Sequence, residues 1–154
     1  MEHMREYTIS VLNDLIEVCR DEYLLFKTAL RKIEDENLKQ TFHKYTNEKN
    51  EQIIKLEAEV KRLGGALRIP SFSAQTDKPE LLKNTPSILH ECIKKDDAVI
   101  KRFSSAIKED ILWEVIPLVA KQYFGSKSMH DQISLIYKNF TQPVPKELIP
   151  GSIS

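Results

Sequence analysis

The chain has 154 residues, with 23 basic and 23 acidic side chains, so its formal net charge is zero. This length suits one domain that buries a core without disulfides, and the balanced total charge gives no indication of a nucleic-acid or anionic-membrane partner. Because the N-terminus lacks an apolar signal core and no stretch reaches about 18 apolar residues, we expect a cytoplasmic protein.

The first predicted helix, α1, covers about residues 8–33 and has the apolar spacing of an amphipathic helix. Its stripe consists of Leu12, Ile16, Cys19, Tyr23, Phe26, Leu30 and Ile33. Glu22 is predicted at the edge of this stripe, about 70 degrees from its centre. Val11, Val18 and Leu25 form a second apolar line, which fits either an interface with another copy of the chain or a broad core face.

The second predicted helix, α2, covers about residues 36–63, with Asp35 as its N-cap and Gly64-Gly65 as its stop. Apolar residues face inward near both ends, but Lys49 and Gln52 interrupt the stripe in the middle. Two alternatives remain open for Lys49. Either its long side chain reaches outward to solvent, or it forms a buried ion pair with Glu22 or Asp96.

Residues 64–84 contain two prolines and no sustained periodicity. About 19 extended residues span the length of a helix of about 28 residues, so this segment is long enough for an end-to-end crossover. A short helical turn is predicted near residue 77. The third helix, α3, covers about residues 86–107, with Thr85 as cap and Pro86 in the first turn.

An acid, Asp96, lies where the apolar stripe of α3 requires a core residue. This stripe consists of Leu89, Cys92, Asp96, Val99, Phe103 and Ala106. The fourth helix, α4, is predicted over about residues 111–140, with Tyr123, Ser126 and His130 on its inner face. Cys92 on α3, like Cys19 on α1, is expected to be a buried thiol and not half of a disulfide.

Short links join α1 to α2 and α3 to α4, while the long segment joins the two hairpins. This pattern predicts an all-α, ferritin-like, up-down-down-up four-helix bundle with a long crossover between α2 and α3. An up-down-up-down bundle with a loose connecting loop is the alternative. The predicted organisation is one bundle over residues 1–140 and a C-terminal tail over residues 141–154.

Polar side chains near the middle of all four helices predict a polar layer in the core. Its expected members are Glu22, Lys49, Gln52, Asp96, Ser126 and His130. A dinuclear metal site in such a bundle needs two Glu-x-x-His pairs. The chain has none, because the residues three positions before His43, His90 and His130 are Gln40, Ser87 and Lys127.

A single metal ion held by Glu22, Asp96 and His130 is the remaining metal hypothesis. Counted from the α3–α4 link, Asp96 lies about 11 residues up its helix and His130 about 20, which predicts an offset of about 12 Å at 1.5 Å per residue. That offset argues against a shared ion. A metal is therefore a possible cofactor, not an expected one.

The sequence contains no nucleophile–base signature, phosphate loop or Cys/His zinc spacing, which favours a protein that is not an enzyme. We expect a structural or interaction role and a homo-oligomer, with a dimer favoured, and neither a nucleic-acid nor a membrane partner. The alternative is a metal-binding or redox bundle with a degenerate site for iron, manganese or zinc.

Short segments of all four helices resemble an uncharacterised bacterial family of four-helix bundles, a domain of unknown function in the ferritin-like superfamily. The resemblance covers about residues 10–138 and is carried by Leu12-Asn-Asp-Leu-Ile-Glu-Val-Cys-Arg-Asp21, Glu57-Ala-Glu-Val-Lys-Arg-Leu-Gly-Gly65, Ile88-Leu-His-Glu-Cys92 with Asp96-Asp97, and His130-Asp131-Gln-Ile. It implies the fold and a bacterial source, but no activity.

The chain departs from that family in two places. Helix α3 of the family resembles Glu-Cys-Glu-x-x-Glu-Asp, whereas this chain has Ile93 and Asp96 at the two inward positions. The crossover also lacks the family's His-Arg-x-Trp-like segment, and the sole tryptophan is Trp113. The loss of one inward acid makes metal binding less expected.

Overall fold

The computed structural model describes residues 2–70 and 82–141. The helices are α1 Glu2–Lys32, α2 Glu36–Arg62, α3 Thr85–Lys108 and α4 Ile116–Thr141, and a 3-10 turn, Trp113–Val115, precedes α4. Helix α1 begins earlier than predicted and α4 begins later. The predicted helical turn near residue 77 and the tail beyond residue 141 lie outside the described residues.

Local side-chain chemistry defines the ends of the helices. Asp35 caps α2 as predicted, because its side chain accepts from the Leu38 backbone N–H at 3.0 Å. The cap of α3 is Asn84 and not Thr85, since Asn84 and Ser87 form a reciprocal capping box. After α2 the chain turns at Gly64, whose φ of 78° lies in the left-handed region that glycine adopts without strain.

Two contacts between distant elements establish the topology. Thr8, near the start of α1, accepts from the backbone N–H of Leu112, just after α3, at 2.9 Å. Tyr45 on α2 donates to Gln132 on α4 at 2.8 Å. Helices α1 and α3 are therefore antiparallel, as are α2 and α4, which confirms the predicted all-α, up-down-down-up bundle.

The beginning of the crossover packs along α1. The Asn13 side chain donates to the Ala66 carbonyl at 3.1 Å and accepts from the Arg68 backbone N–H at 3.0 Å. The Arg68 guanidinium lies 2.6 Å from Asp14. Asn13 thus supplies the hydrogen bonds that this loop backbone would otherwise take from water.

The core is divided into two apolar clusters by a polar layer at mid-height. One cluster contains Cys19, Ile53, Val99 and Val119, and the other contains Phe26, Tyr45, Cys92 and Met129. Both cysteines are buried and free, as predicted. The polar layer that the sequence predicted in the core is the one that separates these clusters.

The second apolar line on α1 contributes to the chain's own core. Leu25 is buried, and Val11 and Val18 pack against one of the apolar clusters. The broad-core-face alternative therefore accounts for this line. Any surface for self-association has to be sought elsewhere on the bundle.

Candidate functional site

Three charged side chains from three helices meet in the middle of the bundle, and all three are fully buried. The Lys49 ammonium nitrogen of α2 lies 2.6 Å from Glu22 Oε1 of α1 and 3.7 Å from Asp96 Oδ1 of α3. Each side chain has 0% exposure. Of the two alternatives for Lys49, the structure has the buried ion pair. Glu22, predicted at the edge of its stripe, points into the core.

Helix α4 completes this centre with a hydroxyl group. Lys49 Nζ donates to Ser126 Oγ at 3.2 Å, and Gln52 Nε2 lies 3.3 Å from the same oxygen. Ser126 is fully buried. Five of the six predicted network residues therefore belong to one connected cluster, which we call the ion layer: Glu22, Lys49, Gln52, Asp96 and Ser126.

The protonation states follow from burial and mutual charge. Burial, together with the neighbouring Glu22 carboxylate, raises the pKa of Asp96 to about 9. Burial lowers the pKa of Lys49, but Glu22 and Asp96 outweigh it, so that its pKa is raised overall. At neutral pH the ion layer therefore holds a protonated Asp96 beside a charged Lys49.

The two buried cysteines flank the ion layer as neutral thiols. Burial raises the pKa of Cys19 to about 12, and burial also raises the pKa of Cys92 well above its ordinary value. Because a metal ligand or nucleophile must be a thiolate, neither sulfur has the electrostatic surroundings of a reactive cysteine. Both act as core side chains.

His130, the sixth predicted residue, lies at the side of the ion layer. Its Nε2 lies 2.8 Å from Asp97 Oδ1, and its side chain retains 24% exposure. The predicted offset of about 12 Å is wrong, because regular helix starts at Ile116 and the heights of His130 and Asp96 differ by only about 3 Å at 1.5 Å per residue. His130 nevertheless pairs with Asp97, the exposed residue that follows Asp96, and not with Asp96 itself.

Sequence reasoning missed Gln122, which ties α4 to α2. Its side chain is 5% exposed and donates to the Gln52 backbone carbonyl at 3.3 Å. The buried stripe of α4 is Val119, Gln122, Ser126, Met129 and Ile133. The predicted stripe contained Tyr123 and His130 in place of Gln122 and Met129, and both sets satisfy the same helical spacing.

A groove between α2 and α4 lies beside the ion layer. Its volume is about 270 Å³. Its lining residues are Glu48, Glu51, Gln52, Lys55, Leu118, Lys121, Gln122, Gly125 and Met129. Gly125 borders open space, since a Cβ atom there would have no neighbour within 4 Å. The groove thus brings solvent close to Gln52, a member of the ion layer.

Comparison with known proteins supports the fold and leaves the activity open. Residues 7–74 match the sequence model of a domain of unknown function (DUF2383). A solved ferritin-like, diiron-carboxylate protein from Bacillus anthracis str. Ames has a similar structure, with a TM-score of 0.75 and 14% identity over 89% of this chain and 99% of that one. A comparison with curated proteins gave no match.

The chain is therefore a ferritin-like four-helix bundle. The match to a domain of unknown function covers its first two helices and the start of its crossover. The resemblance found in the sequence is thus confirmed over residues 7–74, and the four-helix fold is confirmed over the whole bundle. Among the helices that the structure describes, none is long and apolar enough to cross a membrane.

The residues at the centre do not fit the dinuclear metal site of a diiron bundle. Such a site takes a Glu from each of two helices and a Glu-x-x-His pair from each of the other two. Here α2 contributes the Lys49 ammonium, 2.6 Å from Glu22, and α4 contributes the Ser126 hydroxyl. In residues 2–70 and 82–141, no three His, Cys, Asp or Glu side chains are grouped to hold a metal ion.

Proposed function

We propose that this chain is a non-enzymatic ferritin-like bundle with a structural or interaction role. The observation that carries the proposal is the position of Lys49, whose ammonium group lies between the carboxyl groups of Glu22 and Asp96. A fixed positive charge at this point repels a metal cation and supplies the charge that the acids require. The ion layer then fixes the register of the helices.

The alternative is a metal-binding or redox bundle that uses Glu22, Asp96 and His130. His130 lies 2.8 Å from Asp97, the residue next to Asp96, and this proximity is what supports the alternative. It is the less favoured proposal, because a metal ion between Glu22 and Asp96 would have to displace the Lys49 side chain.

Metal analysis distinguishes the two proposals. Wild-type protein is purified without chelators, incubated in turn with Fe²⁺, Mn²⁺ and Zn²⁺, desalted and measured for metal per chain. We expect far less than one ion per chain, with no difference between wild type and Asp96→Asn. A stoichiometric ion that Asp96→Asn loses would contradict the proposed function and support the metal-binding alternative.

We further propose that the bundle associates with itself through the outer face of α4. Phe124 and Leu135 are 65% and 62% exposed, and they are separated by three helical turns on the same side of the helix. Such exposed apolar side chains are typical of interaction surfaces. A dimer built on this face would bury both residues.

Light scattering after size exclusion tests this surface. We expect wild type to elute with the mass of a dimer and Phe124→Glu/Leu135→Glu to elute as a monomer with unchanged helix content. The control is Asn50→Glu, which adds the same charge to an exposed position of α2, away from the outer face of α4. A monomeric wild type would contradict self-association, and a dimeric double variant would exclude this face.

A further inference from the structure

In the ion layer, oxygen atoms surround a positive charge as they would in a metal site, but the charge is the ammonium group of Lys49. We propose that Glu22, Asp96 and Ser126 form a cation cradle occupied by the Lys49 ammonium, and that replacing Lys49 with glutamate converts the cradle into a site for Mn²⁺ or Co²⁺. The inference rests on the proposed function, in which Lys49 fills this centre in the wild type.

Oxygen atoms from three helices surround the ammonium group. Lys49 Nζ lies 2.6 Å from Glu22 Oε1, 3.7 Å from Asp96 Oδ1 and 3.2 Å from Ser126 Oγ. All of these side chains are fully buried. Carboxylate and hydroxyl oxygens are ligands that hard divalent cations accept.

The cradle is specific for a positive charge. In the part of the chain that the structure describes, no group other than Lys49 brings a positive charge to within 4 Å of either carboxyl group. Without a cation, these two buried acids would either keep an unpaired negative charge or both have to be protonated, and either outcome costs stability. Lys49 therefore supplies the charge that a metal ion supplies in a metal-binding bundle, and its removal leaves a vacancy for a cation.

Glutamate at position 49 would supply the missing ligand. It would add a third carboxyl group, on α2, to those on α1 and α3, and a bound divalent cation would displace the proton of Asp96. Ser126 remains on α4. The groove between α2 and α4 approaches the cradle at Gln52, which lines the groove and contacts the buried Ser126. A candidate site needs such an entry path in addition to its ligands.

The experiment compares wild type with Lys49→Glu, Lys49→Gln and Lys49→Met. Glutamate and glutamine place an oxygen ligand in the cradle, whereas methionine fills similar space without one. Each protein is dialysed against MnCl₂ or CoCl₂, and bound metal is measured per chain. Thermal unfolding is recorded with and without metal, and the Co²⁺ absorption spectrum reports direct ligation.

We expect Lys49→Glu to bind about one ion per chain and to gain about 5 to 10 °C in Tm when free metal is about 100 times its Kd. Lys49→Gln should bind the metal more weakly. Wild type and Lys49→Met should bind no metal, and their Tm should not change when metal is added. If Lys49→Glu is unfolded without metal, refolding on addition of Mn²⁺ supports the inference equally.

Failure of the inference differs from failure of the proposed function. A Lys49→Glu protein that gains neither metal nor Tm, or that stays unfolded with Mn²⁺ while Lys49→Gln also fails to bind, would overturn the cradle. Equal binding by Lys49→Met would overturn it too. Stoichiometric binding by wild type would instead overturn the proposed function.

Discussion

Gln52 and Gln122 exchange hydrogen bonds across the α2–α4 interface. The side-chain amide of each donates to the backbone carbonyl of the other, at 3.4 and 3.3 Å. Because Gln52 also contacts Ser126, which accepts from Lys49, this exchange continues the ion layer to the edge of the groove. Polar contacts thus bridge α2 and α4 along the groove.

The first prediction is that Gln122→Ala destabilises the bundle by about 1 to 2 kcal/mol, through the lost hydrogen bond and lost packing. Urea unfolding measures the change. Lys121→Ala is the control, because Lys121 is the exposed neighbour on the same helix and should change stability by less than about 0.5 kcal/mol. Equal effects of the two substitutions would show that the exchange contributes nothing.

The second prediction concerns the removal of the core cation. Lys49→Met leaves Glu22 and Asp96 buried without a positive partner, so we expect the free energy of unfolding to fall by about 3 to 5 kcal/mol. Chemical denaturation at neutral pH measures this loss.

A double variant isolates the charge from the packing. Glu22→Gln combined with Lys49→Met removes both members of the 2.6 Å pair, and should recover most of the stability that Lys49→Met loses. If the double variant is as unstable as the single one, the loss comes from packing and not from an unpaired carboxylate.

The third prediction is a pH dependence that arises from Asp96. Its pKa is about 9 in the folded chain and about 3.9 when unfolded, so the folded state binds more protons between these values. Its contribution to stability is full below about pH 4 and is lost as pH rises through about 9. Asp96→Asn should therefore gain stability relative to wild type between pH 5 and pH 9.

Urea unfolding of both proteins at several pH values gives this difference directly. Asp110→Asn serves as the control, since Asp110 is an exposed acid near the end of α3, and its difference from wild type should stay nearly constant. A constant difference for Asp96→Asn as well would mean that Asp96 is already ionised in the folded chain.

The fold was predictable because helical spacing and short links are local properties of the sequence. The polar layer was predictable for the same reason, since Lys49 and Asp96 interrupt apolar stripes that are otherwise regular. Glu22 was predicted at the edge of its stripe but is buried, because the buried face of α1 is wide enough to include Leu15 and Leu25 as well. The width of that face depends on the helices packed against it, which the spacing within α1 does not give.

The height of His130 was not predictable from the sequence, because residues 109–115 form a non-helical link and a 3-10 turn in place of the first turns of α4. Each residue that leaves the helix shifts the register of everything after it by about 1.5 Å. The choice between Gln122 and Tyr123 also depended on how α4 rotates against α2. Packing decides that rotation, not spacing.

The fourth prediction concerns Thr8, which joins the start of α1 to the α3–α4 link. Its buried hydroxyl donates to the Met4 carbonyl at 2.7 Å and accepts from the Leu112 backbone N–H at 2.9 Å. Thr8→Val keeps the shape but leaves this N–H without an acceptor, so we expect a loss of about 1 to 3 kcal/mol.

Thr28→Val is the matched control for Thr8→Val. Thr28 makes the same kind of bond within α1, to the Leu24 carbonyl at 3.1 Å, and should change stability by less than about 0.5 kcal/mol. Amide hydrogen exchange adds a local test, because Leu112 should lose protection in Thr8→Val alone. Unchanged protection would mean that the Leu112 amide is held by something other than Thr8.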